Sequence, residues 1–298
     1  MDLRDIEYFA VIAEHGHLGR AAEALGLGQP ALSISLRRLE RAAEARLVKR
    51  TPKGVELTAI GNALLSHVGR LRLARNDLAR EMSDLAHGKA GFLRVGASPG
   101  NAESLLPEAC SALLREAPRV TLTLTVQDND ALLPSLATGE LDIVVIHAVH
   151  KAHAGLEQVP LREDRFVVYC RPAHPLARRS APTLRDLAQE RWVSTAAAVA
   201  GWLQPAFQER GLPPPQHALI SDSVAVRNRT LASADLMGLA SSRVVNTGTC
   251  SARFRILAVK DAIWTRSVAA VYRRDGYLPP AAKRFVEILK QAARDGAA

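Results

Sequence analysis

Residues 20–53, RAAEALGLGQPALSISLRRLERAAEARLVKRTPK, constrain what this chain can fold into more than any other stretch. An apolar helical face ends at a break over residues 26–28. A second helix then opens at Gln29 and Pro30, with leucines at helical spacing along one side. Pro30 is accepted there because the first turn of a helix has backbone N–H groups without helical partners. Two helices joined by a Gly-containing turn predict a helix-turn-helix.

The outer side of the second helix is polar and basic. Residues 20–53 contain eight lysines and arginines against three glutamates. A short cationic helix with small polar residues at its start is suited to the DNA major groove. This stretch alone also leaves open an ordinary helical hairpin with solvated arginines. The residues that we predict to contact DNA are Arg20, Gln29, Pro30, Ser33, Arg37, Arg38, Arg50 and Lys53.

Two short strands, residues 47–50 and 55–57, flank the turn Thr51-Pro52-Lys53-Gly54 and predict a basic hairpin, or wing. Here the chain resembles the LysR-type transcriptional regulators. The matching residues are Tyr8-Phe9, Arg20-Ala21-Ala22, Gln29-Pro30-Ala31-Leu32-Ser33, Arg38-Leu39-Glu40, Arg50-Thr51, Gly54-Val55, Leu57-Thr58 and Gly61. The resemblance continues in weaker form to the C-terminus.

Three positions depart from that family pattern. The family usually has Ser or Thr where Gly19 and Gly28 stand, and a longer polar or basic residue where Ile34 stands. Gly at a helix N-cap costs only a few tenths of a kcal/mol relative to Ser, so both helices are expected to form. What is lost is hydroxyl groups that could touch DNA phosphates.

Composition favours a folded protein with a polyanionic partner. The net charge is +9 and 48% of residues are hydrophobic, which is enough for a substantial core. Cys110, Cys170 and Cys250 are odd in number and lack metal-site spacing, which is typical of a reducing compartment. The first residues lack the apolar core of a signal peptide, and no apolar run approaches membrane-spanning length. We therefore predict a cytoplasmic protein that does not enter membranes.

A long helix is predicted from Thr58, its N-cap, to about Leu85. Its apolar residues are spaced alternately by four and three, as in a coiled-coil seam, and Arg75 interrupts them in a position that could fix the register. An amphipathic helix lying on its own domain is the alternative. The residues that we predict to pair two chains are Leu64, Val68, Leu71, Leu78 and Met82.

From Phe92 onward, strands and helices alternate, which predicts an α/β domain with parallel strands. By resemblance, this region forms two Rossmann-like subdomains, similar to periplasmic binding proteins, with an effector cleft between them. The expected domains are residues 1–58 (winged helix-turn-helix), 59–88 (coiled-coil linker helix) and 91–298 (effector-binding domain). Subdomain I would be residues 91–160 with 266–298, and subdomain II residues 161–265.

In open α/β sheets, ligands lie beyond the carboxyl ends of the strands. This rule selects the turn Ser98-Pro99-Gly100-Asn101 and the strand ends that follow it. Free N–H groups at helix starts after Ser98 and Thr195 would suit a carboxylate or a similar anion, such as an aromatic acid. The predicted effector-binding residues are Ser98, Pro99, Gly100, Asn101, Asp128, His147, Thr195, Ala196 and Ser223.

Other chemistries have weaker support. His147, His150 and His153 lack a Cys or carboxylate partner, so no metal site is predicted. Asp128 and Asp222 lack a nucleophile, so no catalytic site is predicted, and no cofactor is expected because a dinucleotide fingerprint is absent.

Two further features are ambiguous. The run Arg227-Asn228-Arg229 is expected on a solvated helix face, while Trp202 could wall the pocket or belong to the core. Where relatives carry a polar or basic residue after Gly201, Leu203 and Gln204 stand here, which weakens a carboxylate grip at that place.

The sequence therefore predicts a DNA-binding transcriptional regulator. It would act as a homodimer or, by resemblance, a homotetramer on double-stranded DNA, modulated by a small-molecule effector. An enzyme, or a solute-binding protein with a DNA-binding head, is the alternative.

Overall fold

The computed structural model describes residues 1–52, 54–87, 91–148, 155–246, 253–259 and 264–295. The chain forms two compact units, Met1–Arg80 and Glu81–Ala298. The predictions made for Lys53, His150, His153 and Cys250 lie outside the described residues. Within the described parts, no helix has the length and apolar character that crossing a membrane requires.

The N-terminal unit is a helix-turn-helix followed by a two-stranded antiparallel hairpin and the long linker helix, as predicted. Its elements are α1 (Leu3–His15), α2 (Leu18–Ala24), α3 (Gln29–Ala42), β1 (Val48–Thr51), β2 (Gly54–Leu57) and α4 (Ala59–His87). Helix α1 begins after its N-cap Asp2, whose carboxylate accepts a hydrogen bond from the backbone N–H of Arg4 at 2.8 Å. Gly28 caps α3, but Gly19 lies inside α2, whose N-cap is His17.

Two glycines let the wing and α4 approach the rest of this unit. A Cβ on Gly54 would lie 2.2 Å from the backbone oxygen of Gly16, and one on Gly61 would lie 2.1 Å from that of Leu47. The hydroxyl of Thr58 donates to the carbonyl of Arg46 at 2.7 Å and accepts the backbone N–H of Gly61 at 3.0 Å. Thr58 thus caps α4 as predicted and fixes the helix start beside β1.

The C-terminal unit is built on one nine-stranded mixed sheet with helices on its faces. Its strands are β3 (Phe92–Ala97), β4 (Thr121–Val126), β5 (Ile143–His147), β6 (Leu156–Cys170), β7 (Arg191–Ser194), β8 (Gln216–Ile220), β9 (Met237–Ser241), β10 (Arg255–Ile256) and β11 (Trp264–Arg273). Its helices are α5 (Pro99–Ser104), α6 (Leu106–Glu116), α7 (Asn129–Ala137), α8 (Leu184–Leu187), α9 (Ala196–Ala198), α10 (Gln204–Gln208), α11 (Val224–Ser233), α12 (Ser242–Asn246) and α13 (Pro280–Asp295). A 3-10 turn spans Pro175–Arg178, and a π-helical turn spans Val199–Leu203.

The strand order is β4-β3-β5-β11-β6-β9-β7-β8, with β10 beside β6. Strands β3, β4 and β5 are parallel, as are β7, β8 and β9, while the long β6 and β11 run antiparallel to each other through the middle. The subdomain boundaries predicted at residues 160 and 266 therefore fall inside these two strands. Buried apolar clusters lie on both sides of each half of the sheet.

One predicted helix is divided in the structure. The residue pattern favours a turn over residues 98–101 and a single helix from about Ala102 to Glu116. The chain is instead already helical at Pro99, breaks at Leu105, and resumes as α6. Pro107 explains the break, because proline lacks the N–H that would bond the preceding turn and its ring clashes with the carbonyl four residues earlier.

Candidate DNA-binding face and effector site

Helix α3 presents most of the predicted DNA-contact residues on its exposed side. Gln29, Pro30 and Arg37 are exposed and Ser33 is half-buried, while the opposite side of the helix packs into the core of the unit. Among the described residues, no carboxylate pairs with Arg37. Its charge is therefore available to a polyanion.

Arg38 has a partner inside the protein that the sequence did not indicate. Asp5 lies on α1 and is 1% exposed. Its carboxylate accepts hydrogen bonds from Nε and Nη2 of the Arg38 guanidinium, and from the hydroxyl of Ser35 at 2.6 Å. The hydrogen bond from Arg38 holds the pKa of Asp5 below its ordinary value, with Ser35 adding to the effect against desolvation. The Arg38 side chain remains 58% exposed while it makes this pair, so its contact with DNA stays a prediction.

The remaining predicted phosphate contacts lie around the helix. Arg20 is exposed and donates to the backbone oxygen of His15 at 2.9 Å. Arg50 is exposed on β1, where it pairs in register with Val55 of the wing. Buried Glu40 ties the wing to α3 by accepting the backbone N–H of Leu47 at 2.9 Å. The sequence matched Glu40 to a family motif without revealing this role.

The predicted dimerisation residues divide into two groups. Val68 is 2% exposed and packs with half-buried Leu64 in the core of its own N-terminal unit, so these two do not form a free seam. Arg75 lies 3.6 Å from Glu7 of α1, an internal partner that the sequence did not reveal. Leu71, Leu78 and Met82 are exposed.

In the C-terminal unit, the predicted Ser98 motif is buried at the end of β3. Ser98 is 6% exposed and its hydroxyl makes no capping hydrogen bond; it accepts one from the amide of Asn101 at 2.9 Å. The side-chain oxygen of Asn101 has no hydrogen-bond partner among the described residues. Pro99 and Gly100 are half-buried beside them. A buried unpaired acceptor of this kind is costly unless something donates to it.

His147, at the end of β5, lies beside a polar group that the sequence did not indicate. Its Nε2 is 3.6 Å from the carboxylate of Asp164, whose other oxygen accepts the hydroxyl of Ser241 at 2.5 Å. Asp164 and Ser241 are 2% and 3% exposed. Within the described structure, the Nε2 atom of His147 makes no hydrogen bond. The three residues come from β5, β6 and β9, and so join the two halves of the sheet.

An aromatic wall stands next to this polar group. The Phe166 ring lies 5.2 Å from the His147 ring and 4.0 Å from the Trp202 ring, both edge-on. The guanidinium of Arg266 lies 5.1 Å from the centre of the Trp202 ring. Arg266 pairs with Asp164 across β11 and β6, so the register of two distant strands brings these groups together. The arrangement depends on the pairing of β11 with β6, so no single segment of the sequence reveals it.

The remaining predicted effector residues lie at strand-helix junctions. Thr195 caps α9 by accepting the backbone N–H of Ala198 at 3.0 Å, and exposed Ala196 follows it; Ser223 caps α11. Half-buried Asp128 precedes α7, and burial raises its pKa, as do the carboxylates of Asp222 and Asp130. The hydroxyls of Thr195 and Ser223 therefore already have hydrogen-bond partners within the protein.

Arg227 is buried, which corrects the solvated position expected for it. It is 6% exposed and donates to the backbone oxygen of Ser221 at 2.7 Å. Burial lowers its pKa, while Asp222 and Asp128 are close enough to oppose that effect. A cation from one half of the sheet thus lies near a carboxylate from the other.

Comparison with known proteins agrees with both parts of this geometry. Residues 3–62 match the model for a bacterial regulatory helix-turn-helix protein of the lysR family, and residues 86–294 match the LysR substrate binding domain. The SDS degradation transcriptional activation protein of a Pseudomonas species is 32% identical over 292 residues, covering 95% of this chain and 93% of that protein.

Two further comparisons cover the regulator class and the fold. The DNA-binding transcriptional dual regulator OxyR of Escherichia coli is 32% identical over 192 residues, 64% of this chain and 62% of that protein. The structure of full-length CbnR complexed with its target DNA matches 98% of this chain and 100% of that chain, with a TM-score of 0.61 at 20% identity. The chain therefore belongs to the LysR family of DNA-binding transcriptional regulators, with an N-terminal helix-turn-helix and an α/β effector-binding domain.

Proposed function

We propose that this regulator binds duplex DNA with the exposed side of α3 in the major groove and with Arg50 of the wing on a flanking phosphate. The observation that carries the proposal is the row of Gln29, Ser33 and Arg37, which runs along one edge of the exposed face of α3. Gln can pair with two atoms of adenine and Arg with two atoms of guanine, so this row can read base edges.

The test begins with a duplex selected from a random pool by the full-length protein. Gln29→Ala should reduce the preference for that duplex over random DNA by about 1–3 kcal/mol, since base contacts carry specificity. Arg284→Ala is a control, because Arg284 pairs with Glu116 in the C-terminal unit. Unchanged preference in variants of Gln29, Ser33 and Arg37 would exclude this placement of α3.

The effector is a small anion with an aromatic ring, bound where the two halves of the sheet meet. Arg266 is an exposed residue whose guanidinium forms no ion pair with a carboxylate of the described residues, and it would take the anionic group. The rings of Phe166 and Trp202 would take the aromatic part. Asn101 and His147 supply buried polar atoms that need partners. The buried hydroxyl of Ser98 would form a hydrogen bond with the effector.

A thermal-shift panel can identify this class, since a ligand that binds only the native state raises its apparent stability. The panel should contain benzoate, phenylacetate, hexanoate and, given the name of the Pseudomonas relative, a short alkyl sulfate. For the compound that raises the melting temperature, Ser98→Ala should lower affinity by about 1–3 kcal/mol. Arg171→Gln is the control, because Arg171 is already paired with Asp235. Equal losses in both variants would contradict this site.

The functional unit is at least a homodimer, and the family resemblance favours a tetramer. Exposed Leu71, Leu78 and Met82 on α4 would pair with the same helix of a second chain. Two DNA-binding heads then match two half-sites separated by whole turns of the double helix.

Several relatives are named as activators of hydrogen peroxide-inducible genes, and a response to peroxide is a second candidate function that the described thiols do not favour. Burial raises the pKa of Cys170 to about 11, with Glu190 and Asp235 adding to the shift, and burial also raises the pKa of Cys110. The thiolate is the form that reacts with peroxide, so both residues are poor sensors.

A further inference from the structure

Ile34 is an exposed apolar side chain in the middle of a polar and cationic helix face. It is 54% exposed. On the helix surface its neighbours are Pro30 and Ala31 one turn before it and Arg37 one turn after it, all exposed, and Arg41 lies one turn further along the same face. Within α3, which is described throughout, Ile34 is the only large hydrophobic residue that is exposed. Its position, rather than its exposure alone, requires an explanation.

The side chain that could cover Ile34 is held elsewhere. Arg38 lies four residues after Ile34 on α3, the spacing at which side chains on a helix touch. Its guanidinium is bound to the carboxylate of Asp5 on α1. Ser35, which follows Ile34, is bound to the same carboxylate. The two residues are thus drawn toward α1, and Ile34 stays uncovered at the centre of the face.

An isoleucine in the major groove can contact only one kind of base group favourably. It has no hydrogen-bond donor or acceptor, and pressing it against a polar base edge would leave that edge unpaired. The 5-methyl group of thymine is the apolar group that the groove presents. We propose that Ile34 packs against a thymine methyl group and specifies thymine at that position of the operator. This inference rests on the proposed placement of α3 in the groove.

The experiment removes the methyl group from the DNA and leaves the protein intact. In a duplex selected by the full-length protein, each thymine is replaced in turn by deoxyuridine, which pairs identically but lacks the methyl group. At one position of each half-site we expect affinity to fall about fourfold, the worth of one buried methyl group. The same replacement should have no effect on Ile34→Ala, because that variant has already lost the contact.

A matched control is Ile60→Ala, which truncates an isoleucine of similar exposure (52%) on α4. This variant should keep the full deoxyuridine penalty. The inference fails if no deoxyuridine position distinguishes wild type from Ile34→Ala, even though variants of Gln29 and Arg37 lose affinity. If those variants also bind normally, the placement of α3 itself is wrong, and the role of Ile34 falls with it.

Discussion

The carboxylate of Asp5 and the guanidinium of Arg38 join the first helix of the N-terminal unit to the helix that we place in the DNA groove. They are separated by 33 residues in the chain. Asp5 is buried, whereas the Arg38 side chain is 58% exposed. The orientation of α3 therefore depends on a charged pair as well as on apolar packing, and this pair has a measurable dependence on pH.

Asp5→Asn should lower the free energy of unfolding at pH 7 by about 1–3 kcal/mol, because the charge-assisted hydrogen bonds from Arg38 are lost. The pKa of Asp5 is lowered in the folded state from an ordinary value of 3.8. Its stabilising effect is complete above that value and is lost as pH falls through the folded-state pKa. Thermal unfolding of both proteins between pH 7 and pH 2.5 should show the difference shrinking only below about pH 4.

Asp2→Asn is the matched control, since Asn and Asp cap helices about equally well and Asp2 serves as the N-cap of α1. A difference between wild type and Asp5→Asn that stayed constant down to the lowest pH would show that the carboxylate does not stabilise through its charge.

Two glycine substitutions in α4 should have opposite signs. Gly61→Ala should destabilise by about 1–3 kcal/mol, because its Cβ would meet the backbone oxygen of Leu47 and the helix start would have to shift. Gly69→Ala should stabilise by about 1 kcal/mol, since a Cβ there meets nothing within 4 Å and Ala favours helix. Denaturant titration measures both. Equal effects of the two changes would be incompatible with close packing of α4 on β1.

Arg50→Ala should weaken binding to operator and random duplexes by the same factor. It should also reduce the slope of log affinity against log salt by about one unit, because one phosphate contact releases about one counterion. Fluorescence anisotropy at several salt concentrations gives the slope. Arg274→Ala, on the C-terminal unit, should leave it unchanged. A variant that loses discrimination but keeps the salt slope would instead mean that Arg50 contacts a base.

Cys170 should be almost inert to a thiol reagent at pH 7.5. A pKa near 11 instead of the ordinary 9.0 lowers the thiolate fraction about 100-fold, and burial slows access further. The measurement is best made in a Cys250→Ser background, with the denatured protein as reference. Peroxide treatment of this variant should leave its DNA affinity unchanged; a change would point to Cys110 or Cys170 as a sensor after all.

Leu78→Asp should convert the oligomer to monomer and abolish high-affinity operator binding, because it introduces an unpaired charge into an apolar seam. Leu78 is 57% exposed, so the substitution does not disturb the core of its own chain. Asn76→Asp adds the same charge elsewhere on the exposed surface of α4 and should have little effect. Light scattering distinguishes the species, and a Leu78→Asp protein that remains dimeric would exclude this seam.

The local features of the N-terminal unit could be predicted because short-range signals set them. The break after α2 falls at Gly26, whose φ of 65° suits glycine, and Pro30 stands in the first turn of α3 as expected. By contrast, the partners of Arg38 and Arg75 lie on α1, and the burial of Val68 depends on how α4 packs. Spacing within one helix contains no information about these contacts.

The same distinction applies to the C-terminal unit. The positions of Ser98 and His147 at strand ends could be predicted because strand ends are visible in the sequence. Asp164 and Arg266 could not, because they lie within strands whose neighbours are set by pairing between residues about a hundred positions apart. The aromatic contact of Phe166 with Trp202 likewise depends on the π-helical turn that carries Trp202.

The long pairing of β6 with β11 also limits how the two halves of this unit can move. Ten residues of β11, from Trp264 to Arg273, are paired with β6, and the ladder is interrupted only by a shift of register between Val268 and Ala269. Two strands bonded along this length act as a ribbon, which resists bending in its own plane but can change its twist. The irregularity at Val268 is where such a change strains the fewest ladder bonds. Reorientation of the two halves would thus be a rotation about the ribbon axis at Val268. Arg266 lies two residues before Val268 on β11, and Asp164 lies opposite Arg266 on β6.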